Sequence, residues 1–212
     1  MPFLLLAGLG NPGFRYEKTR HNIGFRFLDT NQQAFSFPPF TYERKFLGFL
    51  SRRDEGTRTL LLLKPDTYMN LSGRSIRAAT EYLRIGPEEV VVIHDDIDIP
   101  FGTVKIKSGG GDAGHKGVAS AIASLGTSSF WRIRLGIGRP PEGVCSKDYV
   151  LSPFTGAEEK IITNHWEPLW RDIFHVLVQE GKVTAANRFA NRSCLPASPE
   201  SDTSPNLVGE NR

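Results

Sequence analysis

Phe3-Leu4-Leu5-Leu6-Ala7-Gly8-Leu9-Gly10-Asn11-Pro12-Gly13 is an apolar run closed by a glycine-rich turn. A short apolar run bounded by a turn signal reads as a buried strand feeding a loop. In α/β sheets, loops at the carboxyl ends of strands are where ligands bind. Gly8, Gly10 and Gly13 also have the spacing of a dinucleotide fingerprint. That fingerprint needs a helix to begin inside it, so that backbone N–H groups meet a pyrophosphate. Here Phe14-Arg15-Tyr16-Glu17-Lys18 follows with no helical period, and periodicity begins only at Ile23 with Phe27. Asp29 falls inside that helix rather than at the end of a second strand. The loop is therefore no nucleotide cradle. It presents an amide, Asn11, and returns a few residues later with an imidazole, His21.

Outward from this loop, strands and helices alternate. A helix is expected from Asn22 to about Ala34, then strands at 45–50 and 59–63 around a polar turn from Arg52 to Gly56. Ser72 reads as the N-cap of a helix with Ile76, Ala79, Tyr82 and Leu83 inward, stopped by Gly86-Pro87. Val90-Val91-Val92-Ile93 is continuously apolar and β-branched, as a central strand should be, and ends at His94-Asp95-Asp96. Thr103 to Lys107 and Arg132 to Ile137 alternate like half-exposed strands. Between them a loop, Gly109-Gly110-Gly111-Asp112-Ala113-Gly114, leads to a helix over 115–125 with Gly126 as its stop. Ala157 to Gln179 reads as a long amphipathic helix. The pattern predicts an α/β fold: a single-domain three-layer sandwich whose twisted, mixed and mostly parallel sheet carries helices on both faces. The domain spans 1–191, and residues 192–212, rich in Ser, Pro, Asn and Glu, read as a disordered polar tail.

Composition narrows the class. A chain of 212 residues with ordinary apolar and charged fractions can bury one sizeable core. No apolar run has spanning length, and the N-terminus lacks a basic leader, so neither a membrane segment nor a signal peptide is expected. Cys145 and Cys194 form no disulfide framework or metal-ligand spacing, which suits a reducing cytoplasm. Arg192 and Arg212 against Glu200, Asp202 and Glu210 leave the tail one charge negative, and the body at +4. Such a balance permits a polyanionic partner. No stripe suggests an obligate interface, so a monomer is expected.

Three loops follow predicted strands and carry chemistry: Asn11 through His21, Tyr68-Met69-Asn70, and His94-Asp95-Asp96. If those strand ends meet, they gather an imidazole, a carboxylate and two amides. A buried carboxylate fixes a histidine tautomer and raises its basicity, so the other ring nitrogen can take a proton from water. Amides can hold that water or donate to an oxyanion. Each signal alone also fits a plain role: a histidine beside a helix, asparagines in turns, and Asp95, Asp96 and Asp98 as loop caps. His94, Asp95, Asp96, Asp112 and His115 are also acceptable metal-ligand types.

The joint pattern is similar to a known family. Gly-Leu-Gly-Asn-Pro-Gly at 8–13, Tyr16, Thr19-Arg20-His21-Asn22, Lys64-Pro65, Met69-Asn70-Leu71-Ser72-Gly73, His94 to Pro100, Gly109 to Gly117 and Phe130 to Pro140 closely resemble bacterial peptidyl-tRNA hydrolase, in order, from about residue 3 to 190. The resemblance implies a metal-free, cofactor-free esterase. Its substrate would be peptidyl-tRNA, held by acceptor stem and nascent peptide, and it would recycle tRNA from abandoned translation. It implies His21 as general base, Asp95 as its orienting partner, and Asn11 and Asn70 as the amides of the site. It places Tyr16, Tyr68 and Met69 along the groove for the acceptor end. Lys105, Lys107 and Arg134 match a clamp for the tRNA 5′-phosphate, although spacing alone reads them, with Arg132, as a solvated strand face. The chain departs from the pattern at Lys116, where the family has asparagine, and at Asp112, where it often has histidine. A non-catalytic, splicing-factor-like RNA-binding relative of the fold is the alternative; the set Asn11, His21, Asn70 and Asp95 favours the enzyme.

Overall fold

A computed structural model describes residues 2–190 and 192–194. β1 (Phe3–Gly8) leads through the glycine loop and a tight turn over Arg20–Asn22 into α1 (Ile23–Ala34). β2 (Thr41–Glu43), β3 (Gly48–Glu55) and β4 (Arg58–Pro65) follow, then α2 (Ser72–Leu83) and β5 (Val90–Asp96). β6 (Thr103–Ser108), α3 (Lys116–Leu125) and β7 (Trp131–Gly136) come next. The chain continues through α4 (Ser146–Val150), α5 (Gly156–Ile161), α6 (Glu167–Gln179), α7 (Lys182–Arg188) and β8 (Arg192–Ser193).

The strands form one sheet in the order β2-β3-β4-β1-β5-β7-β6-β8. The central strands β4, β1, β5 and β7 are parallel neighbours. Both flanks are antiparallel, because β3 and β4 form a hairpin and β6 pairs back against β7 and β8. The sheet is mixed, as the sequence predicts, but among the described residues three strand pairings are parallel, all at the centre, and four are antiparallel, because hairpin and returning strands extend both edges.

β1, residues 60–63 of β4 and residues 90–93 of β5 are continuously apolar because both faces are covered there. Leu4 and Leu6 join the layer of α1 and α6, with Phe27, Trp170 and Phe174. Leu5 and Ala7 join the layer of α2 and α3, with Ile76, Ala79 and Val118. Val91 and Ile93 point to the first layer, Val90 and Val92 to the second. On β6 only one face is covered, so Val104 and Ile106 are buried while Lys105 and Lys107 stay half-exposed. Period two returns where one face meets water. Among the described residues, no helix is long and apolar enough to cross a membrane.

Several local expectations change. Arg52–Glu55 continue β3 rather than forming a turn, since Arg52 pairs with Asp54 and Arg53 with Glu55 along the strand. Ser72 is not a cap: Leu71 holds that position, and the Ser72 hydroxyl is buried without a hydrogen-bond partner among the described residues. Tyr82 is 64% exposed, its ring packed edge to face on the core residue Phe46 rather than turned inward. The long helix runs from Gly156 to Gln179 with a π-helical stretch at Ile162–Trp166. Arg192 and Ser193, expected at the head of the tail, instead pair with β6; residues 195–212 of that expected tail lie outside the described residues.

One close approach sets the site. A Cβ on Gly24 would meet the carbonyl oxygen of Ile93 at 2.5 Å and the Leu9 backbone at 2.6 Å. A Cβ on Gly8 would meet the carbonyl oxygen of Gly24 at 2.4 Å. Two glycines thus let the first turn of α1 rest on the carboxyl ends of β1 and β5. That contact brings the Arg20–Asn22 turn up to Asp95.

Candidate active site

His21 stands on the turn before α1, Asp95 at the end of β5, and His115 just ahead of α3. His21 Nδ1 lies 2.8 Å from Asp95 Oδ1, and His115 Nε2 lies 2.9 Å from the same oxygen. His115 Nδ1 accepts the backbone N–H groups of Gly117 and Val118 at 3.1 and 3.2 Å, so it caps α3. An accepting Nδ1 leaves the ring proton on Nε2, where His115 donates to Asp95. His21 likewise donates from Nδ1, which leaves its Nε2 lone pair as the basic site. Asp95 is 1% exposed. Burial alone would raise its pKa, but the fields of His21 and His115 and their N–H bonds outweigh burial and hold the carboxyl well below the usual carboxylate range. A charged carboxylate therefore backs the imidazole.

The amides are arranged from the first loop. Asn22 accepts the Asn11 N–H at 2.8 Å and donates to the Asn11 carbonyl at 2.9 Å, locking the loop on the turn that carries His21. Asn11 Oδ1 accepts the Met69 N–H at 2.9 Å. Its acceptor is thereby committed, and its Nδ2 donor is left for a ligand. Asn70 is exposed, and among the described residues its side chain makes no hydrogen bond.

These groups line one cavity of about 500 Å³. Asn11, His21 and Asp95, among its least exposed polar members, form its floor; the exposed Asn70 lines it with Tyr16, Tyr68, Met69 and Lys116 at the start of α3. The two tyrosine rings meet edge to face at 6.5 Å. A further wall comes from α4 and the residue after it, with Ser146, Lys147, Val150 and Leu151. A charged floor between apolar and aromatic walls suits a ligand with a polar reacting centre and an amphipathic body.

The match to known proteins agrees in length and order. A family model described as peptidyl-tRNA hydrolase matches residues 5–196. The chain belongs to the peptidyl-tRNA hydrolase family. It is 47% identical to the peptidyl-tRNA hydrolase of Sorangium cellulosum over 73% of this chain and 70% of that one. It is 40% identical to that of Nocardia farcinica over 87% and 94%. The crystal structure of the Acinetobacter baumannii peptidyl-tRNA hydrolase superposes with a TM-score of 0.83, at 30% identity, covering 91% of this chain and 97% of that one.

Of the residues that the family pattern singles out, Asn11, Tyr16, His21, Tyr68, Met69, Asn70, Asp95 and Lys116 share the cavity. Lys105, Lys107 and Arg134 do not line it. They stand on the uncovered face of β6 and β7, where Lys105 is opposite Arg134 and Lys107 opposite Arg132. Arg134 gives Nε and Nη2 to Asp96 Oδ2 at 2.8 and 2.7 Å, so it is already paired. Lys105 and Lys107 form no ion pair among the described residues. Partial burial, then the fields of Arg134 and Arg132, push the Lys107 ammonium below its usual range. An anion seated there would relieve that repulsion. Arg132, expected on a solvated face, is 2% exposed and donates to the carbonyls of Gly111 and Gly110 at 2.5 and 2.6 Å. It pins the glycine loop instead of facing solvent.

His115, which the sequence offers only as a metal-ligand type, is a further member of the site. The available signal was its place between a glycine loop and a helix, where a side chain can cap. A metal reading now reduces to His21, Asp95 and His115, whose ligand atoms lie within 4.8 Å of one another. Those atoms already satisfy each other by hydrogen bonds. The other proposed ligands are held elsewhere: His94 on the Asp95 carbonyl, Asp96 on Arg134 and Asp112 on the Gly114 N–H.

Proposed function

We propose that the chain hydrolyses the ester between a peptide and the 3′ end of tRNA, with His21 as general base. The observation that carries the reading is the buried Asp95 carboxylate bonded to His21 Nδ1, which leaves Nε2 basic at the cavity floor. His21 Nε2 takes a proton from water as the water oxygen bonds to the ester carbonyl carbon. Asp95 stabilises the imidazolium that forms. Asn11 Nδ2, with its oxygen fixed by Met69, donates to the oxyanion, and Asn70 holds the substrate or the water beside it. As the tetrahedral intermediate collapses, the C–O bond to the ribose breaks and the imidazolium returns its proton to the leaving 3′-oxygen. His115 holds Asp95 beside His21 by its own N–H bond.

Tyr16 and Tyr68 offer ring faces to the terminal base, and the wall of Val150 and Leu151 offers apolar surface to the peptide. Lys105, Lys107 and Arg134 bind the tRNA 5′-phosphate, which adds affinity without reading sequence. Lys116, in place of an amide, can donate but not accept, and it shifts weight from positioning water to binding phosphate. If Lys116→Asn leaves both KM and kcat unchanged, Lys116 has no part in the site. The reading places the protein in the cytoplasm as a monomer that uses no metal or cofactor. The direct test is incubation of purified protein with an N-blocked aminoacyl-tRNA after exhaustive chelation. Release of intact tRNA and free N-blocked acid is expected. Binding without cleavage would replace the enzyme by an RNA-binding relative, and cleavage that chelator abolishes would restore the metal reading.

A further inference from the structure

Arg20 precedes His21, yet its side chain turns away from the cavity and is 5% exposed. Its two terminal nitrogens donate to the two oxygens of Glu158, each at 2.8 Å. Its guanidinium lies over the Tyr149 ring at 4.4 Å and the Phe154 ring at 4.8 Å. Its backbone N–H donates to the Ser152 carbonyl at 3.0 Å, and Thr19 bridges to Pro153. Glu158 is fixed in turn by a reciprocal capping box with Thr155 at the start of α5. Burial would raise the Glu158 carboxyl, but its bonds to Arg20 and Thr155 hold it below the usual range. Arg20 is buried and Glu158 partly exposed, and a bidentate charge pair with both ends this fully bonded resists opening.

The clasp joins two parts of the site that share no sheet. On one side is the turn that carries His21. On the other is the segment from Tyr149 to Glu158, whose Val150 and Leu151 wall the cavity just after the exposed stretch 141–148. We infer that the Arg20–Glu158 clasp is a positioning device that locks the base-bearing turn and the outer wall of the cavity in one register. Asn22 anchors the turn from the opposite side, through Asn11. With the clasp opened, the turn keeps its Asn11 anchor, but His21 loses its fixed aim at Asp95.

This inference rests on the esterase reading, so its test includes a readout that needs no substrate. Glu158→Gln keeps the shape and removes the charge; Arg20→Lys removes the fork. Each is expected to lower kcat about ten- to hundredfold, as a small misplacement of a base does, with KM little changed. The two losses should not add in the double variant. Glu159→Gln, which breaks the neighbouring Arg26 pair on the same helix, should leave kcat at the wild-type level. In proton NMR of the wild type, His21 Nδ1–H and His115 Nε2–H, both bonded to Asp95, should each give a low-field resonance. The His21 resonance should be lost to exchange in Glu158→Gln while the His115 resonance persists. Retention of both resonances, or loss of both together with the thermal midpoint, would overturn the positioning role. If wild type cleaves no ester, the functional reading fails while the resonances still decide the clasp.

Discussion

Asn11 makes three hydrogen bonds to two neighbours. Its N–H and carbonyl hold Asn22, and its Oδ1 holds the Met69 N–H, so only Nδ2 faces the cavity. Asn11→Asp keeps the acceptor and removes the donor. It should fold normally and lose roughly a hundred- to a thousandfold in kcat, read by steady-state hydrolysis of an N-blocked aminoacyl-tRNA. Asp95 makes a second prediction, about pH. Its folded pKa lies below its unfolded value, so its ionised form stabilises the fold above the unfolded pKa, and that contribution is lost as acid protonates it. The stability gap between wild type and Asp95→Asn, measured by denaturant titration, should therefore be full at neutral pH and shrink below about pH 4. A gap that widens on acidification would reverse the assigned sign. The residue types of the floor were legible in the sequence because they sit in loops after apolar runs. The sharing of Asp95 was not, since it depends on His115 capping a helix twenty residues further along the chain. Arg132 misled for a related reason. Strand alternation puts it on the face of Arg134, but only the fold shows that the glycine loop covers it.

At the level of elements, the continuous apolar runs marked β1, β4 and β5 because both faces of those strands are covered. The charged run Arg52–Glu55 resembled a turn because its ion pairs lie along the strand, a pattern that composition hides. The π-helical stretch at Ile162–Trp166 left no signature in the apolar period. The element contact that matters most is α1 on the ends of β1 and β5. Gly24→Ala would drive a methyl group into the Ile93 carbonyl and the Leu9 backbone. Overpacking of this kind costs about 1–3 kcal/mol, and here it also pushes the His21 turn off Asp95. The variant should show a lowered thermal midpoint and a larger fall in kcat than in KM. A loss of stability with wild-type kcat would mean that the turn is set elsewhere.

For the whole molecule, the sheet separates two tasks. The carboxyl ends of the central parallel strands hold the cavity with His21 and Asp95, and the uncovered face of β6 and β7 holds cations outside it. That division fits a substrate whose ester and whose terminal phosphate are distant parts of one molecule. Binding of tRNA should therefore weaken steeply with salt, and Lys105→Ala or Lys107→Ala should each lower the slope of log K against log salt by about 1. Filter binding across a salt series reads this directly, and a slope unchanged in both variants would remove the clamp. The central claim is that a His21–Asp95 pair activates water against the peptidyl ester. Its most direct measurement is single-turnover cleavage of an N-blocked aminoacyl-tRNA, in chelator, by wild type and His21→Ala, with tRNA binding measured in parallel. The account predicts full cleavage by wild type and a loss of at least about a hundredfold in His21→Ala, with binding largely retained. Cleavage by His21→Ala at most of the wild-type rate would contradict it.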